Sequence, residues 1–86
     1  MRTVFFEKQA FEDVKFWSST NPKILKKVVE IISEIQKKPF EGIGKPEPLK
    51  HNLKGFWSRR LSDEHRIIYK VDNETVYIAS CRYHYD

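Results

Sequence analysis

A single cysteine, Cys81, excludes an internal disulfide, and with it the small secreted folds that use cross-links in place of a core. A membrane-length apolar run is also missing. The greasiest stretch, residues 28–35, is interrupted by Glu30, Ser33 and Glu34, and no charged-then-apolar leader opens the chain. A cytoplasmic, reducing setting without membrane attachment is therefore expected. Metal-ligand spacing is absent too: Cys81 and the three histidines His51, His65 and His84 form neither CxxC nor HExxH, so neither metal nor cofactor is expected. Gly42, Ile43, Gly44 and Lys45 superficially suggest a phosphate loop, but the run is too short for a Walker motif and comes after a helix rather than a strand. Cys81 lies in a strand-like run without a nucleophile signature and reads as a small core residue.

The residues that are present fit one compact domain spanning residues 1–86, small enough that its margin of stability should be thin. Aromatic residues make up 14% of the chain, and each removes a large area from water. Sixteen Lys and Arg outnumber twelve Asp and Glu, a net +4 that favours polyanionic partners, nucleic acid foremost. The excess is mild and carries little weight by itself.

Hydrophobic spacing organises the chain. Residues 2–6 (RTVFF) read as a strand. Ala10, Phe11, Val14 and Trp17 recur at helical spacing over residues 7–19. Asn21 can cap a second helix with Pro22 at its first position, where the missing N–H costs nothing. Over residues 23–38, Ile24, Val28, Ile31, Ile32 and Ile35 form an apolar stripe opposite a charged face. Pro39 ends that helix, and a loop rich in Gly and Pro (PFEGIGKPEP) comes next. Short β-rich runs then occupy residues 49–52, 56–62, 66–71 and 75–83, joined by brief turns that favour antiparallel pairing. The expected fold is α+β: two N-terminal helices packed on a mostly antiparallel sheet of four to five strands.

Candidate chemistry concentrates in the second half. Glu47 sits between Pro46 and Pro48, which stiffen the backbone presenting its carboxylate. Arg59 and Arg60 adjoin in a strand and so face opposite sides of a sheet, Arg60 with Phe56 and Ser58, Arg59 with Trp57 and Leu61. At least one guanidinium is placed to grip phosphate with two bonds, and Arg66 repeats the pattern one strand later. The tail interleaves Arg82 and His84 with Tyr83 and Tyr85, a composition suited to stacking on unpaired bases together with phosphate contact.

These residues resemble a known family. Residues 39–52 (PFEGIGKPEPLKHN), 55–60 (GFWSRR), 64–66 (EHR) and 81–85 (CRYHY) are similar to the YoeB toxins of the RelE/ParE superfamily, and the likeness extends over nearly the whole chain. The resemblance implies a RelE-like fold and an endoribonuclease that enters the ribosomal A site and cuts translated mRNA without a metal. It also implies a YefM-type antitoxin and a homodimer. Carried over by position, Glu47 corresponds to the general base, His84 to the general acid and Arg66 to the phosphate-stabilising arginine. Lys50, Arg60, Glu64 and Tyr85 correspond to supporting residues of the site. One departure stands out: the family pattern ends at the position of Tyr85, whereas this chain adds Asp86, an extra carboxylate expected either to raise the pKa of His84 or to repel phosphate. Two other readings use the same surface: a ParE-like gyrase inhibitor, against which Glu47, Arg66 and His84 together argue, and a non-catalytic RNA- or ribosome-binding module.

Overall fold

The structure, a computed structural model, describes residues 1–83; His84, Tyr85 and Asp86 lie outside the described residues. Strand β1 (Thr3–Phe6) leads into helix α1 (Lys8–Thr20) and helix α2 (Pro22–Lys37). Four more strands complete the sheet: β2 (Glu47–Pro48), β3 (Trp57–Arg60), β4 (Arg66–Val71) and β5 (Thr75–Ser80). The sheet order is β1-β5-β4-β3-β2, with β1 parallel to β5 and every other pairing antiparallel. This is the expected α+β arrangement, with the first strand joined through the helical hairpin to a sheet whose far edge is β2.

The hairpin turns where the sequence signals it. The Asn21 side chain accepts from the Ile24 N–H, and Pro22 occupies the first helical position. Val28, Ile31, Ile32 and Ile35 of α2 are buried against Ile67 and Tyr69 of β4 and Val76 and Ile78 of β5. On α1 the expected stripe is corrected. Phe11 is 54% exposed, whereas Asp13 is 2% exposed beside Ala10 and Trp17. A carboxylate takes a core-facing position because two donors meet it there, the Cys81 N–H and the Gln9 amide.

The run at residues 49–52 does not form the expected strand. Pairing starts two residues earlier, Glu47 opposite Ser58 and Pro48 opposite Trp57. A 3₁₀ turn, His51–Leu53, succeeds it, with His51 in the left-handed region at φ 59. Pro48 has no N–H to give, and an edge strand such as β2 is where a sheet tolerates that loss. The strand expected over 56–62 is confined to Trp57–Arg60, and that over 75–83 ends at Ser80. Ile68 pairs with Ser80 but Tyr69 with Ile78, so β5 carries one extra residue, Ala79. A bulge of this kind bends its strand and re-aims the chain beyond it, here the C-terminal segment.

Candidate functional site

Alternation along β3 separates its two arginines, and the helices decide their fates. Arg59 faces α2 and is 0% exposed. Its Nε donates to the Tyr69 hydroxyl; its terminal nitrogens donate to Glu34 Oε1 and to the carbonyls of Ile43, Lys38 and Glu41. Tyr69 in turn donates to the Pro39 carbonyl. All this capacity is spent on Glu34, Tyr69 and residues 38–43, so Arg59 is unavailable to phosphate. Gly44 completes the attachment: at φ +84 its carbonyl accepts from the Arg60 N–H at 2.7 Å, and an added Cβ would meet the Arg60 carbonyl oxygen at 2.9 Å. The glycines of the false phosphate loop thus lay the chain against β3 and deliver it to Glu47.

Arg60 lies on the other face and is exposed. Its cross-strand partner is Arg66. Directly opposed residues share a face, and like charges in that relation are destabilising, with Cβ atoms roughly 4.5–5.5 Å apart. Glu47 opposes Ser58, two residues before Arg60 on the same face, and is itself exposed. It is a diagonal neighbour of Arg60, roughly 7–8 Å away, and about 12 Å between Cα atoms from Arg66 by strand spacing. One carboxylate and two guanidiniums therefore stand on the open face of the sheet.

The remaining candidates are placed differently. Glu64 is exposed in the turn joining Arg60 to Arg66. Lys50 is exposed at the start of the 3₁₀ turn. Because β2 runs antiparallel to β3, Lys50 lies towards the Phe56 end, away from the arginine pair. His84 and Tyr85 fall outside the described residues, as does Asp86.

The segment leading to them is tightly held. Asp13 Oδ2 accepts from the Cys81 N–H at 2.9 Å, and its other oxygen accepts from Gln9. Trp17 Nε1 donates to the Cys81 carbonyl at 2.8 Å. The Tyr83 N–H donates to His65 Nδ1 at 2.7 Å, and the Arg66 N–H donates to the Tyr83 carbonyl at 2.9 Å. The Arg82 guanidinium lies 3.5 Å from the Phe16 ring centroid and donates to the Tyr83 hydroxyl. A groove of about 330 Å³ opens here, lined by Glu64, His65, Arg82 and Tyr83 among others. Sequence reasoning gave Asp13 no role, and it met His65 only inside the EHR run at residues 64–66, with no role of its own.

Cys81 is buried, as its strand-like context suggested. Burial, then the charge of Asp13, pushes its thiol up to about 12. Since the thiolate is the reactive form, iodoacetamide at pH 8 should leave the native protein unmodified while alkylating the guanidinium-unfolded chain, as read by mass spectrometry. Equal labelling of both forms would refute it. Among the described residues no group of three or more His, Cys, Asp or Glu is placed to hold a metal ion, and no helix is long and apolar enough to cross a membrane.

The chain is similar to known proteins over nearly its whole length. Residues 6–85 match a family described as "YoeB-like toxin of bacterial type II toxin-antitoxin system". A toxin YoeB from Escherichia coli O6:H1 is 50% identical over 82 residues, covering 95% of this chain and 98% of that protein. The YoeB dimer from Staphylococcus aureus superposes with a TM-score of 0.90 at 47% identity, over 98% of both chains. The YoeB–YefM complex from the same organism gives 0.89 at 48% identity, over 99% of both.

Proposed function

The chain belongs to the YoeB-like toxins of bacterial type II toxin–antitoxin systems, and from that premise we propose that it is a ribosome-dependent endoribonuclease cutting translated mRNA in the A site, with Glu47, Arg66 and His84 at the reacting atoms. The observation that supports this reading is the register that sets Glu47, Arg60 and Arg66 on one open face. Two guanidiniums side by side without a charge between them repel, so the pair acquires a favourable role only when an anion bridges it.

RNA supplies its own nucleophile, the 2′-OH. Glu47 takes that proton as O2′ attacks the adjacent phosphorus. Arg66, aided by Arg60, meets the charge growing on the non-bridging oxygens, while Lys50, beyond Glu47 towards the Phe56 end, is left to hold the RNA backbone away from the scissile phosphate. The bond from phosphorus to O5′ breaks, and His84 protonates the departing oxygen. The products are a 2′,3′-cyclic phosphate and a 5′-OH. Glu64 and Tyr85 support the site.

The partners are those of the relatives, a YefM-like antitoxin and a second copy of this chain, together with the ribosome and its mRNA. Incubating the toxin with programmed ribosomes and mapping RNA ends tests the reading. Wild type should leave 5′-OH ends within A-site codons, and His84→Gln should cleave about 10²–10⁴-fold more slowly. A non-catalytic binder would leave the mRNA intact while still inhibiting growth, and a gyrase inhibitor would produce DNA damage instead; either result defeats the proposal.

A further inference from the structure

The polar contacts around the C-terminal segment are more than core packing requires. Asp13 and Trp17 grip the N–H and the carbonyl of Cys81 from α1. Two residues later the grip passes to the turn after β3, where His65 Nδ1 receives the Tyr83 N–H and the Arg66 N–H reaches the Tyr83 carbonyl. His65 is itself seated: its ring meets Trp17 edge-on at 4.7 Å between centroids, and the Tyr83 ring lies 5.5 Å away. Tyr83 adopts φ 63, a left-handed conformation that a tyrosine takes up only when its surroundings enforce it. Its two backbone hydrogen bonds, to His65 and from Arg66, supply that enforcement. Strain held in this way recurs next to functional groups.

We infer that His65 is a positioning residue: its Nδ1 acceptor locks the Tyr83 peptide against the Arg66 backbone, so that the chain enters His84 from a fixed point beside the phosphate-binding arginine. This rests on the proposed role of His84 as general acid. Proton transfer demands placement of the donor within hydrogen-bond reach of the leaving oxygen, and a displacement of about 1 Å costs on the order of 10²-fold in rate. The lock requires Nδ1 to be unprotonated, so the neutral ring carries its proton on Nε2. His65 is accordingly distinct in role from its neighbour Arg66: one orders the backbone, the other meets the substrate.

Two amide substitutions separate the lock from bulk packing. His65→Asn puts an amide oxygen where Nδ1 stands, keeping an acceptor for the Tyr83 N–H. His65→Gln carries its amide one methylene further, to the place of Nε2, and leaves that N–H without a partner. Single-turnover cleavage on programmed ribosomes should fall about 10²-fold in His65→Gln, with the half-saturating toxin concentration little changed, and recover most of the way in His65→Asn. In the free toxin, the Tyr83 amide proton should be protected from hydrogen exchange in wild type and His65→Asn and exposed in His65→Gln. Equal rates in the two variants, or a protected Tyr83 amide in His65→Gln, overturns the inference. If wild type itself fails to cleave, or His84→Gln cleaves normally, the proposed function is the claim that has failed. Loss of protection in His65→Gln would then still stand as evidence for the lock.

Discussion

Arg66→Ala is expected to slow single-turnover mRNA cleavage by about 10²–10³-fold, the scale of losing one preorganised donor to transition-state charge, and by at least as much as Glu47→Ala. The asymmetry has a physical origin. Glu47 is exposed on a two-residue edge strand, where water can share the work of accepting a proton. Arg66 is half-buried, opposite a second guanidinium, and its own N–H is engaged by the Tyr83 carbonyl. Its charge cannot be replaced by solvent in that position. Stability should move the other way. Removing one of two directly opposed cations relieves a repulsion worth roughly 0.2–1 kcal/mol, so the melting temperature of Arg66→Ala should be unchanged or slightly higher. An inactive variant that is no less stable identifies a residue kept for function. Cleavage at near wild-type rate, or a markedly lowered melting temperature, would refute the assignment.

The second large effect falls on stability, at the pair of Glu34 and Arg59. Glu34→Ala should destabilise the fold by about 3 kcal/mol, the low end for leaving a buried charge without its partner, because Arg59 is wholly buried but keeps its carbonyl acceptors, while Glu34 is 30% exposed. For a domain of this size that is a fall of roughly 12–24 °C in melting temperature. Glu34 also accepts from the Ile43 N–H. Its loss therefore frees the loop as well as the charge, and cleavage should weaken through misplacement of Glu47. The pH dependence has its origin in the same contacts. Desolvation alone would raise the Glu34 carboxyl, but hydrogen bonds from Arg59 and the Ile43 N–H, with the charges of Arg59 and Lys38, outweigh it and hold the group below its ordinary 4.5. A depressed carboxyl contributes stability that is present above its ordinary value and is lost as pH falls through its folded value. Denaturant titrations from about pH 6 to about pH 3 should therefore show a decline in wild type that is shallower in Glu34→Gln. A melting temperature for Glu34→Ala within about 3 °C of wild type would show that the pair holds nothing together.

Much of the fold was legible along the chain, and the failures have a common form. The α2 stripe, the Asn21–Pro22 cap and the inert Cys81 depend on local spacing or chemistry, and they hold in the structure. Residues 49–52 looked β-prone, yet the strand forms at Glu47–Pro48, because pairing is decided by the groups β3 offers across the gap. Phe11 faces outward and Asp13 inward for a similar reason. Helical periodicity ranks residues by polarity, whereas Asp13 is drawn inward by a peptide N–H 68 residues away.

The amino-acid sequence by itself determined the composition of the candidate site, since Glu47, Arg60 and Arg66 are picked out by motif, and it determined that Arg59 and Arg60 must part, since neighbours in a strand point to opposite faces. Only the tertiary structure decided which of the two would stay exposed. Helix α2 covers one face of the sheet and, with the loop after it, surrounds Arg59 with fixed acceptors, leaving Arg60 beside Arg66 on the open side. Alternation is a property of the backbone, but the choice of covered face belongs to whichever layer packs there, and no local pattern encodes it.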